Sequence, residues 1–230
     1  MQGGFFVKAI FFNGSPRKHF NTAQLLEKAA EGAREAGAET ELVHLYDYEF
    51  TGCRSCFACK VKNSKTNGVC AVRDSIRPII EKAQEADIIV IGSPVYFGYP
   101  TGQVRNLAER LLFPLDTYLV DEEGQRVKVP HKSVQTAMIY TMNCPEWLME
   151  KVDYPKLLGF TGEEMGRLYG YNEILYSCDT YQFTDYSRYD VNMFPEEKKR
   201  EQREKQFPID LQNAYELGKR LAEKAKEASV

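Results

Sequence analysis

The stretch KAIFFNGSPRKHFNTA (residues 8–23) runs from an apolar strand through a loop of Gly, Ser, Pro, Arg, Asn and Thr directly into a helix. A loop in that position is an anion site: backbone N–H groups at a helix start are unpaired, and they carry the positive end of the helix dipole. Ser15, Asn21 and Thr22 add side-chain donors. The spacing is neither that of the nucleoside triphosphate P-loop nor that of the dinucleotide Gly-x-Gly-x-x-Gly fingerprint, so a mononucleotide phosphate is the better match. Alone, the loop supports a plainer reading equally well, with Asn21 or Thr22 as a helix cap and Gly14-Ser15-Pro16 as an ordinary turn.

Outward from this loop the chain alternates. Residues 7–12 read as a buried strand, 22–36 as a helix stopped by Gly37, 40–46 as a second strand and 74–86 as a helix; 87–92 (DIIVIG) is the strongest buried strand. A helix over 104–115, a strand over 134–142, a helical stretch over 146–168 broken near Pro155 and a strand over 172–178 complete the series. Alternation of this kind implies an α/β fold: a three-layer, doubly wound, five-stranded parallel sheet of order 2-1-3-4-5 with right-handed crossovers, the flavodoxin-like arrangement. Residues 1–195 form one domain with a Cys-rich loop at 50–70 and an excursion at 118–130. Residues 196–230 form a charged C-terminal helix, packed on that domain or extending from it.

Composition narrows the partners. A formal net charge of −3 with both signs dispersed over 230 residues argues against a nucleic-acid surface and against a strongly anionic membrane. No segment has the length and apolarity of a membrane span, and no signal-peptide pattern opens the sequence, so a soluble cytoplasmic protein is expected. Six cysteines at uneven spacing suggest metal or redox chemistry rather than a disulfide framework. Fourteen Tyr and thirteen Phe are plentiful; many of them are core, and a surplus near a cleft would suit a planar ligand.

Two further loops leave the same sheet edge, SPVYFGYPTG (residues 93–102) and TMNCP (residues 141–145). Ligands of doubly wound sheets lie at that edge, which shifts the first loop from helix cap to phosphate cradle. Asn13-Gly14-Ser15-Pro16-Arg17 with Asn21-Thr22, followed by Gly92-Ser93-Pro94-Val95-Tyr96-Phe97-Gly98, resembles the NAD(P)H-dependent FMN reductase branch of the flavodoxin-like superfamily, and within it the iron-sulfur flavoprotein group. The resemblance implies that Ser15, Arg17, Asn21 and Thr22 hold the FMN phosphate. It places Pro94, Val95, Tyr96, Phe97 and Gly98 beside the ribityl chain and the ring, with Thr141 and Asn143 at the pyrimidine end. No side-chain acid or base is implied, because the cofactor carries the chemistry, and no catalytic residue is assigned. A homodimer or higher homo-oligomer is implied as well.

Cys53-x-x-Cys56-x-x-Cys59, then Cys70 after a ten-residue gap, is the second chemical feature. Four thiolates suit an iron-sulfur cluster, and Cys-x-x-Cys pairs also suit zinc. In the iron-sulfur flavoproteins a similar motif binds one 4Fe-4S cluster, with a shorter last gap. Packed free thiols are a third reading, since buried Cys behaves as a small hydrophobe. The expected function is an FMN-dependent oxidoreductase that moves electrons from NAD(P)H to a quinone, a flavin or another small acceptor. The alternative is an iron-sulfur flavoprotein electron carrier fed by a ferredoxin-like partner.

Overall fold

A computed structural model describes residues 6–66 and 68–228; residues 1–5, 67 and 229–230, which fall within the domain limits and cysteine loop read from the sequence, lie outside the described residues. The chain runs β1 (Val7–Asn13), α1 (Asn21–Glu35), β2 (Ala38–His44), α2 (Arg77–Glu85), β3 (Ile88–Tyr96), β4 (Tyr99–Pro100) and α3 (Gly102–Leu112). It continues with β5 (Asp116–Val120), β6 (Arg126–Lys128), β7 (Val134–Thr141), α4 (Glu146–Lys151) and α5 (Tyr154–Tyr169). β8 (Gly170–Ser177), α6 (Glu196–Lys205) and α7 (Phe207–Glu227) complete it.

The five main strands pair in parallel in the order β2-β1-β3-β7-β8, which is the order 2-1-3-4-5 of a flavodoxin-like sheet. β3 and β7 are buried almost throughout, as strands covered on both faces must be. One core lies under α2, α3 and α5 and includes Ile80, Leu107, Leu111, Leu158 and Met165. The other lies under α1 and α7, where Leu25, Leu26 and Ala29 meet Leu217 and Leu221. Each fully buried Leu or Ile contributes about 1.5–3 kcal/mol relative to exposure.

Register fixes where the loops emerge. Asn13 pairs with His44 and with Gly92, Pro94 pairs with Thr141, and Thr141 pairs with Ser177, so all three loops leave one carboxyl edge. The break near Pro155 is a helix start: α4 ends, Asp153 adopts φ 55°, and Pro155 sits in the first turn of α5, where its missing N–H costs nothing. The charged tail is two helices rather than one, because Pro208 opens α7 in the same way, and α7 packs on α1. The excursion is the antiparallel pair β5–β6. No helix among the described residues is long and apolar enough to cross a membrane.

Candidate functional site

The loop from β1 to α1 is built by its own side chains. Asn13 Oδ1 accepts the Ser15 N–H at 2.9 Å, while Asn13 Nδ2 meets His44 Nδ1 at 3.0 Å. Ser15 Oγ accepts the Arg17 N–H at 3.1 Å. The Gly14 N–H donates to the Gly92 carbonyl at 2.8 Å, and a Cβ at Gly14 would stand 2.1 Å from Val104 Cγ2, so only glycine lets the loop lie this close to α3. The helix then begins after an extended Phe20 with no side-chain cap, which leaves its first N–H groups for a ligand. The cap reading of this loop therefore fails at Asn21 and Thr22.

Ser15, Arg17, Asn21 and Thr22 line one cavity of about 470 Å³ together with Pro94, Val95, Tyr96, Thr141 and Asn143. A volume of that size is ordinary for a small-molecule site. Arg17 lies over the Phe20 ring at 4.0 Å and donates to the Gln182 carbonyl at 2.6 Å; burial lowers its pKa, with Tyr96 acting the other way. The Asn21 side chain is engaged at both ends, donating to the Tyr181 carbonyl at 2.8 Å and accepting from Arg203 at 3.3 Å. It is a tie between the loop and a later segment more than an open donor.

The second loop is a hairpin. β3 runs on through Pro94 and Val95 to Tyr96, and β4 returns antiparallel, with Tyr96 opposite Tyr99. Phe97 and Gly98 form the two-residue turn at φ 53° and 82°, the signature of a type I′ connection. The turn carries both residues outside the cavity, and Phe97 is 99% exposed. Of the run 94–98, three residues face the cavity and two do not.

The cavity lining also holds an unmet acceptor. Asn143 Oδ1 is buried and has no hydrogen-bond partner. Its backbone carbonyl accepts from Lys199 Nζ at 2.5 Å, and Lys199 also pairs with Asp179; burial lowers the pKa of this amine and Asp179 opposes that. The remaining wall comes from the segment after β8, through Thr180, Gln182, Phe183 and Tyr189, with Phe183 and Tyr189 stacked at 3.9 Å. None of these, nor Phe20 and Met142, is among the residues expected from the sequence; the polar-aromatic run Asp185-Tyr186-Ser187-Arg188-Tyr189, which reads as a surface loop, is the local hint. The described lining contains no His, Asp or Glu. An uncapped helix start beside Arg17, an aromatic wall and an unpartnered buried acceptor fit a ligand that carries an anionic group and a planar ring bearing an N–H.

Cys53, Cys56, Cys59 and Cys70 surround a second, smaller pocket with Phe57, Glu109 and Phe113. Residues of α3 and its end hold this segment: Glu109 Oε2 accepts the Cys53 N–H at 2.9 Å, Arg110 reaches Cys70, and Lys60 Nζ donates to the Phe113 and Asp116 carbonyls. All four are free thiols, and burial pushes the Cys59 thiol up. Four thiols around one pocket are the donor set that a four-thiolate metal centre would use. Among the described residues no three His, Cys, Asp or Glu side chains are grouped to hold a metal ion, so binding one requires the thiols to close in. Cys144 and Cys178 are apart from this pocket; burial raises both, Cys178 to about 12, and Cys178 packs against Met149 at 3.6 Å.

The chain belongs to the NADPH-dependent FMN reductase family, whose model matches residues 7–126. It is 47% identical over 104 residues to an iron-sulfur flavoprotein of Archaeoglobus fulgidus, a match covering 45% of this chain and 48% of that protein. An iron-sulfur flavoprotein of Methanocaldococcus jannaschii is 39% identical over 104 residues, covering 45% and 51%. The match thus spans about half the length of these relatives. The fold is shared with an NAD(P)H:quinone oxidoreductase from Methanothermobacter marburgensis (TM-score 0.65, 14% identity, 94% of this chain and 100% of that one). It is also shared with an azoreductase from Bacillus anthracis (TM-score 0.64, 14% identity, 94% and 100%).

Proposed function

We propose that the protein is an FMN-dependent oxidoreductase of the iron-sulfur flavoprotein kind, an electron carrier that holds FMN in the large cavity and an iron-sulfur cluster at Cys53, Cys56, Cys59 and Cys70. The observation that carries this reading is the placement of both sites on one helix: α3 starts where the loop lining the large cavity ends, and Glu109 and Arg110 of α3 hold the cysteine segment. FMN exchanges electron pairs or single electrons, and an iron-sulfur cluster exchanges single electrons, so the two together adapt one kind of donor to the other.

The chain's own residues bind, orient and tune. The first N–H groups of α1, Ser15 and Arg17 take the phosphate. Asn143 Oδ1 would accept from a ring N–H, with Lys199 fixing the Asn143 backbone, while the Thr141 hydroxyl, 2.8 Å from that of Thr22, belongs with the phosphate end at the start of α1. Phe183 and Tyr189 exclude water from one side of the ring. A ferredoxin-like protein is the electron donor in this reading.

A second reading, NAD(P)H-driven reduction of a quinone, flavin or other small acceptor, is favoured by the half-exposed Tyr96 and Tyr99 and the exposed Phe97 beside the cavity mouth. Anaerobically purified protein separates the two. The carrier reading expects flavin absorbance with stoichiometric iron and sulfide, and bleaching by reduced ferredoxin but not by NAD(P)H. Bleaching by NAD(P)H without iron supports the second reading.

A further inference from the structure

Arg110 has no solvent exposure, and every N–H of its guanidinium has an acceptor. Nε donates to Cys70 Sγ at 2.9 Å. Nη1 donates to the Thr51 carbonyl at 3.1 Å and to Asp74 Oδ2 at 2.8 Å. Nη2 donates to the Val72 carbonyl at 3.2 Å and to Asp74 Oδ1 at 3.1 Å. The acceptors bracket the cysteine segment: Thr51 precedes Cys53, while Cys70, Val72 and Asp74 follow the long gap.

The fork to Asp74 explains how the cation tolerates burial, since a bidentate carboxylate compensates its lost hydration. It does not explain Nε. A neutral thiol is a weak acceptor, whereas a ligand sulfur carrying negative charge makes a strong one. The Nε donor at 2.9 Å from Cys70 Sγ is the geometry that would support a ligand sulfur.

We propose that Arg110 is a positioning residue of the cysteine centre: it holds Cys70 Sγ in place and raises the centre's reduction potential through the N–H···S hydrogen bond and its buried positive charge. This rests on the reading of the four cysteines as ligands of an iron-sulfur cluster. Hydrogen bonds to ligand sulfurs and local net charge are two of the levers that set such potentials, and both stabilise the more negative, one-electron-reduced form. Asp74 works against Arg110, because its carboxylate cancels part of the same charge. The two residues therefore make predictions of opposite sign.

The test is anaerobic iron-sulfide reconstitution of the wild type, R110Q, R110K and D74N with FMN bound. Iron and sulfide are counted per chain, and the cluster midpoint is measured by redox titration followed by electron paramagnetic resonance. R110Q is expected to shift the midpoint negative, R110K to shift it by less, and D74N to shift it positive. Full iron in R110Q at the wild-type midpoint overturns the proposal. If the Arg110 variants assemble no cluster, D74N decides: a midpoint at or below the wild type overturns it. A wild type that takes up no iron and sulfide overturns the cluster reading and this proposal together, and is recognised because the failure is the wild type's own.

Discussion

The hydroxyl oxygens of Thr22 and Thr141 lie 2.8 Å apart, and both residues are buried. This hydrogen bond joins the first turn of α1 to the last residue of β7 at the edge of the large cavity. T141V keeps the shape but leaves the Thr22 hydroxyl without its partner, a loss of about 1–3 kcal/mol. The double variant T22V/T141V removes both polar groups and is expected to cost less than the sum of the single variants. Urea unfolding of the four proteins measures the coupling; additive losses would show that the two hydroxyls do not depend on each other.

Arg17 has two roles to separate, phosphate binding and the tie to the Gln182 carbonyl. Hydrogen bonds to a charged group contribute about 1.5–3 kcal/mol, so R17Q is expected to weaken FMN binding roughly ten- to a hundredfold. Riboflavin, which lacks the phosphate, should bind R17Q as it binds the wild type. Fluorescence titration of apoprotein with both flavins reads this directly. An equal loss for the two would make Arg17 only a support for the wall at 180–183.

Asp210 gives a pH signature. It lies in the first turn of α7 and is buried, accepting from Ser177 Oγ at 2.5 Å and from Gln206 Nε2 at 2.8 Å. Burial raises its pKa above the ordinary 3.8, although both hydrogen bonds act in the opposite direction. The folded state thus binds a proton more tightly than the unfolded state. Stability from this group is complete below pH 3.8 and is lost as pH rises through the raised folded value. D210N should remove that slope. Unfolding free energies of both proteins across pH 3–7, with their difference flat in pH, would exclude the effect; a wild-type-minus-D210N difference that falls with rising pH supports it.

Much of this architecture was legible because local signals agree with the tertiary fold. The FFNGSPR loop and the DIIVIG strand each announce a buried strand followed by a turn at the edge where ligands bind. The hairpin at 96–99 was hidden because Phe-Gly lacks the Asn-Gly or Asp-Gly signal of a type I′ turn, and Pro94 reads as a strand end. The wall at 180–189 was hidden for a different reason. Its place is set by Asn21 to Tyr181 and Arg17 to Gln182, contacts across 160 and 165 residues that no local periodicity encodes. Arg110 likewise reads as one position on an amphipathic helix; only the folded chain brings Cys70, Thr51 and Asp74 around it.

The turn at Phe97 offers a gain in stability. Its φ of 53° is a left-handed conformation that costs a side chain with a Cβ about 1–2 kcal/mol, and Asn suffers least among non-glycine residues. With 99% of Phe97 exposed, the ring has almost no packing to lose within the chain. F97N also creates the Asn-Gly pair that type I′ turns prefer. The variant is expected to unfold about 2–4 °C higher, as about 1 kcal/mol does in a protein of this size. Strain retained beside a binding cavity commonly serves the site, so the same variant should lose activity toward whatever passes the aromatic rim of Tyr96 and Tyr99. Differential scanning calorimetry of the apoprotein measures the first effect, and turnover with saturating FMN measures the second. A melting temperature at or below the wild type would mean that the left-handed turn carries no strain for asparagine to relieve.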